Sequence, residues 1–269
     1  MRTTRLLLAL LAAAVAIARV PVRAASLEER PDLAAVLARH RVSGTFVLYD
    51  VASDRIFAAD AQRAQRRFRP ASTFKIVNSL IALETGAVRD ENEVIPYGGQ
   101  PQPFKHWEKD MGMREAIRAS SLPVYQEIAR RVGPARMREP LSRLGYGNGA
   151  MGRDVDQFWL DGSLQVSAIE QALFLARLAR GRLPLSARSQ SIVRDILRLE
   201  QTGDAVLYGK TGWIVVHRKH LGWWVGWVER GGKLHTFALN VDLASFRDAP
   251  RRVTIGKDLL KHAGVLPAP

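Results

Sequence analysis

The stretch Pro70-Ala71-Ser72-Thr73-Phe74-Lys75-Ile76-Val77 places a serine and a lysine three residues apart at the start of an apolar run. The run predicts a helix that ends at Gly86, a residue type common just past a helix end. Residues three apart share one face of a helix, so Ser72 Oγ and Lys75 Nζ can meet. A serine hydroxyl needs a base to act as a nucleophile. Burial among apolar groups lowers the pKa of a lysine amine, so that Lys75 could be this base. In the first helical turn Ser72 would also lie beside free backbone N–H groups, which can stabilise an attacked carbonyl.

Strand-like segments lie on both sides of a helical centre. The predicted strands are Gly44–Asp50, Arg55–Ala59, Ala205–Tyr208, Leu221–Val228 and Leu234–Leu243, the last two joined at Gly231-Gly232. One predicted helix begins at a capping box at Ser26–Glu29, and the next is the helix that carries Ser72. A longer helical stretch, Arg114–Leu144, is broken at Ser120–Pro123 and at Gly133-Pro134. Three more helices are predicted: one from a capping box at Ser167 to Gly181, one over Ser186–Leu199 and one over Pro250–His262. This order predicts a mixed α+β fold, in which terminal helices flank an antiparallel sheet built from both chain ends and an all-helical region is inserted. We expect one domain over residues 25–269, with a sheet part at about 25–65 and 203–269 and a helical part at about 72–200.

The first 24 residues predict a secretory signal peptide rather than part of the fold. Arg2 and Arg5 precede the apolar run Leu6–Ile17, and small residues follow, so that cleavage after Ala24 or Ala25 is expected. The run is short for a membrane span, which makes an uncleaved anchor the alternative. We therefore expect a periplasmic protein that has no membrane association after cleavage.

Composition limits the chemistry further. The 269 residues include no cysteine, which excludes disulfides, thiol nucleophiles and Cys-ligated zinc. The formal charge is +14, and loss of the four arginines of the leader lowers it to +10. No basic stripe is interleaved with aromatic residues, so the excess charge predicts a solvated arginine-rich surface rather than a nucleic-acid partner. No pair of the six histidines has a metal-ligand spacing, and we expect no metal.

Two glycine-rich segments resemble nucleotide motifs but fail on context. Gly147–Gly152 has the dinucleotide spacing yet follows a helical segment instead of a strand. Gly203–Lys210 has five residues between its outer glycines where a phosphate-binding loop needs four. There is also no Gly-x-Ser-x-Gly elbow.

A lone Ser-x-x-Lys arises by chance in chains of this length, so its meaning depends on the motifs that follow it. Ser72-Thr-Phe-Lys75 is followed by Ser120-Ser-Leu122 and then by Lys210-Thr-Gly212. Ser-x-x-Lys with a later Lys-Thr-Gly is typical of penicillin-recognising serine enzymes. The sequence resembles the class D (oxacillinase-type) β-lactamases in short segments that span nearly the whole mature chain. These segments are Pro70–Lys75, Pro123–Gln126, Gly145–Asn148, Phe158–Gly162, Gln165–Gln171, Lys210–Trp213 and Gly222–Glu229.

The resemblance implies a covalent mechanism of β-lactam hydrolysis, with antibiotic resistance as its consequence. Ser72 would attack the β-lactam carbonyl, with the backbone N–H groups of Ser72 and Trp213 as oxyanion hole. Lys75 would react with CO₂ to form N6-carboxylysine, the general base for acylation and deacylation. The indole N–H of Trp159 would support that carbamate. The family implies no cofactor beyond CO₂ or bicarbonate.

The same resemblance assigns the substrate-binding residues. Ser120 would relay a proton to the β-lactam nitrogen with help from Lys210, which is expected at the end of a strand. Lys210, Thr211 and Gly212 of the third motif, with Trp213, would line the substrate site. Lys210, Thr211 and Arg252 would bind the drug carboxylate. Arg251 and Arg247 lie near Arg252 in the chain.

One position departs from the family. Leu122 stands where the second motif usually has valine, and its side chain would lie over the carbamate. We expect the extra methylene to crowd the deacylating water or the CO₂ adduct, which would slow turnover or narrow the substrate range.

Two other functions fit part of the pattern. A penicillin-sensing receptor domain would acylate without turnover, but such receptors are tethered behind several membrane spans. A cell-wall transpeptidase or carboxypeptidase shares the serine and lysine motifs but lacks the Phe-Trp-Leu phrase at 158–160. The sequence leaves open which β-lactams are substrates and whether the protein is a monomer or a homodimer. The segment 214–221 is expected to be a loop that tunes substrate choice.

Overall fold

A seven-stranded sheet drawn from both ends of the chain organises residues 25–267, the part of the protein that the computed structural model describes. The predicted signal peptide lies outside these residues. The strands are β1 (Ser26–Glu29), β2 (Gly44–Asp50), β3 (Arg55–Ala58), β4 (Arg198–Thr202), β5 (Ala205–Val216), β6 (Lys219–Arg230) and β7 (Lys233–Leu243). Their order across the sheet is β1-β3-β2-β7-β6-β5-β4. Every pair is antiparallel except β1 with β3, and the predicted fold class is confirmed.

The helices lie between β3 and β4 and at the two ends of the described chain. They are α1 (Pro31–Arg39), α2 (Ala61–Gln65), α3 (Lys75–Glu84), α4 (Met113–Ala119), α5 (Leu122–Leu144), α6 (Phe158–Asp161), α7 (Ala168–Ala179), α8 (Ala187–Ile196) and α9 (Arg251–His262). Short 3-10 turns occur at Ala71–Phe74, Lys105–Trp107 and Phe246–Asp248. Within residues 25–267, no helix combines the length and the apolarity needed to cross a bilayer.

The two faces of the sheet bury two separate cores. Successive side chains of a strand point to opposite faces, so Trp223 and Trp227 of β6 pack against the helical region while Trp224 packs against α1 and α9. These three tryptophans are fully buried and fill the two cores on either side of β6. The sheet therefore presents one face to the inserted helices, and β5 contacts the turn Ala71–Phe74 at this boundary.

Two predicted element boundaries are wrong. Ser26–Glu29 forms β1 instead of opening a helix, because these residues pair with β3 and Pro31, with its fixed φ, occupies the first helical position. The predicted helix Ser186–Leu199 ends at Ile196, and the next residues form edge strand β4. All five residues of β4 are exposed, so no alternation of buried and exposed positions marks it as a strand.

The predicted loop at 214–221 is mostly sheet. β5 continues to Val216, β6 starts at Lys219, and His217 and Arg218 form the two-residue turn between them. Both turn residues have positive φ, 49° and 64°, as a tight hairpin requires. Histidine and arginine are not the usual residues there, which explains why the sequence shows no turn signal. The other hairpin, at Gly231-Gly232, is confirmed.

Candidate active site

The Ser-x-x-Lys motif lies in a 3-10 turn, not in the first turn of an α-helix as predicted. Residues Ala71–Phe74 form the turn and α3 begins at Lys75. Side chains three apart eclipse one another in a 3-10 helix, so the predicted contact of serine and lysine is retained. Lys75 Nζ donates to Ser72 Oγ at 2.8 Å. Ala71 has φ +51°, a backbone strain that costs about 1–3 kcal/mol and that recurs at functional sites.

Lys75 is one of the few buried cations in the described chain, with only 1% of its surface exposed. Its Nζ lies 5.3 Å from the centroid of the Tyr125 ring, and no carboxylate compensates the charge. Burial lowers the pKa of the Lys75 ammonium from 10.5 to about 7. The lowered pKa favours a free amine lone pair beside Ser72 at neutral pH.

A second hydroxyl–lysine pair faces the first. Ser120 closes α4 with φ +55°, again a left-handed conformation for a residue that is not glycine. This backbone turns its side chain towards β5, where Lys210 Nζ donates to Ser120 Oγ at 2.9 Å. Ser120 and Ser72 line the same cleft. The arrangement gives one serine next to each lysine.

Lys210 lies in the middle of β5, not at a strand end as predicted. Its Nζ also donates to the carbonyl oxygen of Thr211 at 2.9 Å. Burial lowers the pKa of Lys210 well below its usual value, and the positive charges of Lys75 and Arg252 lower it further. The geometry suits a group that passes a proton on through Ser120.

Gly212 brings β5 against the nucleophile turn. A Cβ at this position would lie 3.1 Å from the carbonyl oxygen of Pro70 and 3.2 Å from Thr73 Cγ2. A side chain at residue 212 would crowd this contact, so glycine favours the close approach of the strand to the turn at Ser72. Thr211, Gly212 and Trp213 all line the cleft.

Trp159 lies on the one-turn helix α6, directly before Leu160 of the cleft wall. Its ring stacks on Phe74, with centroids 5.3 Å apart and planes 21° apart. The residue is 1% exposed, and its indole Nε1 finds no acceptor among residues 25–267. A buried polar group is costly when unpaired, so this donor is available to an acceptor that arrives at the site.

Leu122 and Arg252 also line the cleft. Leu122 is the first residue of α5 and is half-buried. Burial lowers the pKa of the Arg252 guanidinium to about 10. Its Nη1 donates to the Ala249 carbonyl, whereas Nε has no partner in the described part of the chain. The neighbouring Arg251 instead donates to the His40 carbonyl at 2.6 Å, so the structure places Arg252 and not Arg251 at the site.

The cleft encloses about 370 Å³ and is walled by aromatic rings that sequence reasoning missed. Phe246 packs on Phe104 at 5.1 Å and on Trp213 at 4.8 Å, and Trp107 packs on Phe104 at 4.7 Å. Phe104 and Phe246 belong to segments without a motif. Leu160 was also missed, although it adjoins Trp159 in the chain.

The arrangement supports acyl transfer at a serine. Ser72 is the hydroxyl beside a buried amine. The second pair, Ser120 and Lys210, can supply a proton, and Arg252 offers a cation for an anionic substrate. The described residues contain no cluster of three or more metal-ligating side chains.

Comparison with known families agrees with this geometry. The family model for the penicillin binding protein transpeptidase domain matches residues 44–261. Among curated proteins, β-lactamase OXA-5 of Pseudomonas aeruginosa is 41% identical over 228 residues, 84% of this chain and 85% of the relative. β-Lactamase OXA-48 of Klebsiella pneumoniae is 39% identical over 247 residues, 92% of this chain and 93% of the relative.

The fold leads to the same group of proteins. The class D β-lactamase FUS-1 (OXA-85) of Fusobacterium nucleatum subsp. polymorphum superposes with a TM-score of 0.85 at 38% identity. The match covers 89% of this chain and all of the FUS-1 chain. With motifs, site geometry, sequence and fold in agreement, the chain belongs to the class D β-lactamase family.

Proposed function

We propose that this protein hydrolyses β-lactam antibiotics through an ester formed at Ser72. The observation that carries the proposal is the 2.8 Å contact between Ser72 Oγ and the buried Lys75 amine, whose pKa of about 7 suits a base at neutral pH. The relatives named above are β-lactamases, which supports the same reaction.

The first half-reaction forms the ester. Ser72 Oγ attacks the carbonyl carbon of the β-lactam and its proton passes to the Lys75 side chain. The ring C–N bond breaks, and the nitrogen takes a proton from Ser120, which Lys210 reprotonates across the 2.9 Å contact. Arg252 and Thr211 hold the carboxylate that β-lactam drugs carry beside this bond.

The second half-reaction releases the product. Before this step the proton that the Lys75 side chain took from Ser72 passes to Lys210, which restores both groups, so that the base is again neutral or anionic in the acyl-enzyme. A water molecule then loses a proton to the Lys75 side chain and attacks the ester carbonyl. Lys75 returns this proton to Ser72 Oγ as the C–O bond of the ester breaks and the opened drug departs as its carboxylic acid. Leu122 and Leu160 lie on the cleft wall and limit the room for that water.

We further propose that Lys75 is carbamylated by CO₂ and that bicarbonate is needed for full activity. Carbamylation joins the neutral amine nitrogen to the carbon of CO₂ with loss of one proton, and it supplies an anionic oxygen base in place of an amine. The residues present fit such a group: Lys75 is buried with a lowered pKa, and the Trp159 indole is a buried donor without an acceptor in the described chain. Indole only donates, so it suits an anion.

The proposed location is the periplasm, after removal of residues 1–24 or 1–25. The basic start and short apolar run of the leader support export. The mass of the protein recovered from the periplasm would identify the cleavage site. Gel filtration of that sample would decide between monomer and homodimer.

Intact-mass spectrometry tests the ester directly. Mixing the protein with a penicillin should add the mass of the drug transiently, and the unmodified mass should return as the drug is consumed. Ser72→Ala should show no adduct, while Ser121→Ala, a matched change one residue from Ser120, should still form it. A stable adduct without return would indicate a sensor or a transpeptidase-like protein, and an adduct on Ser72→Ala would refute the assignment of the nucleophile.

A further inference from the structure

Arg69 lies three residues before Ser72, and its side chain crosses from the nucleophile turn to α6. Its Nη1 donates to the carbonyl oxygen of Leu160 at 2.9 Å. The last carbonyls of a helix lack partners within it, and a cation beside them is favourable. Arg69 therefore caps the carboxyl end of the helix that carries Trp159.

Gly162 makes room for this cap. A Cβ at Gly162 would lie 2.8 Å from Arg69 Nε, 3.0 Å from Nη2 and 3.1 Å from Cζ, so the guanidinium lies against bare backbone. Gly162 also has φ +103°, which other residues adopt only with strain. The end of α6 is thus shaped to receive the arginine.

The main chain of Arg69 is anchored independently of its side chain. The indole Nε1 of Trp223 donates to the Arg69 carbonyl at 2.9 Å. One residue earlier, Phe68 exchanges two backbone hydrogen bonds of 2.9 Å with Val166. The backbone of this segment is therefore fixed to the sheet and to the strand-like residues before α7. Loss of the guanidinium alone would leave those anchors in place.

Helix α6 has only four residues, and single turns are marginal without tertiary support. It carries two side chains of the site: Trp159, stacked under Phe74, and Leu160, on the cleft wall. The Arg69 cap is a side-chain contact that joins the end of α6 to the segment that leads into Ser72. A shift of α6 would move the indole donor relative to Lys75, which directly follows Phe74.

We propose that Arg69 is a positioning residue that couples the Ser72 turn to α6. Through this coupling it holds the Trp159 indole N–H and the Leu160 side chain at fixed positions relative to Lys75. The role depends on the proposed function only in its consequence for activity. The coupling itself concerns the folded protein and can be measured without substrate.

The test compares Arg69→Met, Arg69→Lys and the control Arg66→Met. Arg66 is exposed in the same segment and only stacks on Phe68, at 5.0 Å. The first readout is hydrogen exchange of the Trp159 indole by NMR on tryptophan-labelled protein, with the peak assigned from Trp159→Phe. Arg69→Met should speed this exchange at least tenfold, Arg69→Lys should restore part of the protection, and Arg66→Met should match the wild type.

The second readout is the bicarbonate concentration that gives half-maximal turnover. Arg69→Met should raise it several-fold and lower kcat more than it changes KM, whereas a purely structural loss would lower the melting temperature and leave the bicarbonate curve unchanged. Unchanged indole exchange in Arg69→Met, or equal effects of Arg69→Met and Arg66→Met, would overturn the coupling. If Arg69→Met does not fold, Arg69→Lys carries the test: indole exchange faster than in the wild type and in Arg66→Met supports the coupling, and exchange equal to the wild type contradicts it. Absence of any bicarbonate effect in the wild type would count against carbamylation, while the indole exchange would still decide the role of Arg69.

Discussion

Replacing Lys75 by methionine should stabilise the folded protein at neutral pH while abolishing its activity. The change keeps an unbranched side chain of similar volume and removes the amine. Burial is the cause of the low pKa of Lys75, since the protonated form is unfavourable in the folded state. A residue kept for catalysis at a cost in stability is common at active sites.

The magnitude follows from the pKa. The pKa falls from 10.5 in the unfolded chain to about 7 in the folded protein, and each pKa unit is worth about 1.4 kcal/mol. The unfolded chain therefore binds more protons between pH 7 and 10.5, and the free energy of unfolding rises with pH across that window. Linkage gives a cost of about 4 kcal/mol at pH 7 that shrinks to about 1 kcal/mol at pH 10.

The assay is urea unfolding of wild type and Lys75→Met at several pH values in CO₂-free buffer. Lys210 is present in both proteins, but its pKa rises when the charge of Lys75 is lost, so the difference between the two curves reports Lys75 together with this coupling. Lys75→Met should be more stable by several kcal/mol at pH 7, and the advantage should shrink by about 3 kcal/mol towards pH 10. A stability difference that does not change with pH would refute the claim that folded Lys75 has a lowered pKa.

Three further changes test other parts of the site. Trp159→Phe keeps the stacking on the neighbouring ring but removes the indole donor. The bicarbonate concentration for half-maximal turnover should rise about 10- to 100-fold, which corresponds to the loss of one hydrogen bond to a charged group. An unchanged concentration would contradict the proposed contact. Leu122→Val removes one methylene from the cleft wall and should raise the steady-state turnover number several-fold for at least one bulky substrate; equal rates would show that Leu122 does not limit turnover. Arg252→Met should raise KM for anionic β-lactams about tenfold or more with a smaller change in kcat, whereas a fall in kcat alone would place Arg252 in the chemistry rather than in binding.

Much of the site could be predicted because its chemistry is local in sequence. Ser72 and Lys75 are three residues apart, and this spacing brings them together in either kind of helical turn. The order of the strands also predicted a sheet built from both chain ends, which brings Lys210 on β5 to the turn at Ser72. The contact between Lys210 and Ser120 lies 90 positions apart in the chain and followed only from the family resemblance.

The features that escaped prediction depend on packing rather than on pattern. Phe104 and Phe246 meet across 142 positions of the chain, and neither sits in a periodic segment. Edge strand β4 has no buried face, so it shows no strand alternation. The contact of Arg69 with the α6 carbonyl likewise could not be predicted from the sequence, because an isolated arginine in a loop is usually a solvated surface charge.

The central claim is that Ser72 forms an ester which the Lys75 side chain, as a carbamate, then helps to hydrolyse. The most direct measurement is turnover of a chromogenic cephalosporin by the mature protein, in CO₂-free buffer and with added bicarbonate. We expect sustained turnover that bicarbonate stimulates. A single stoichiometric burst that bicarbonate does not convert into turnover would contradict the account.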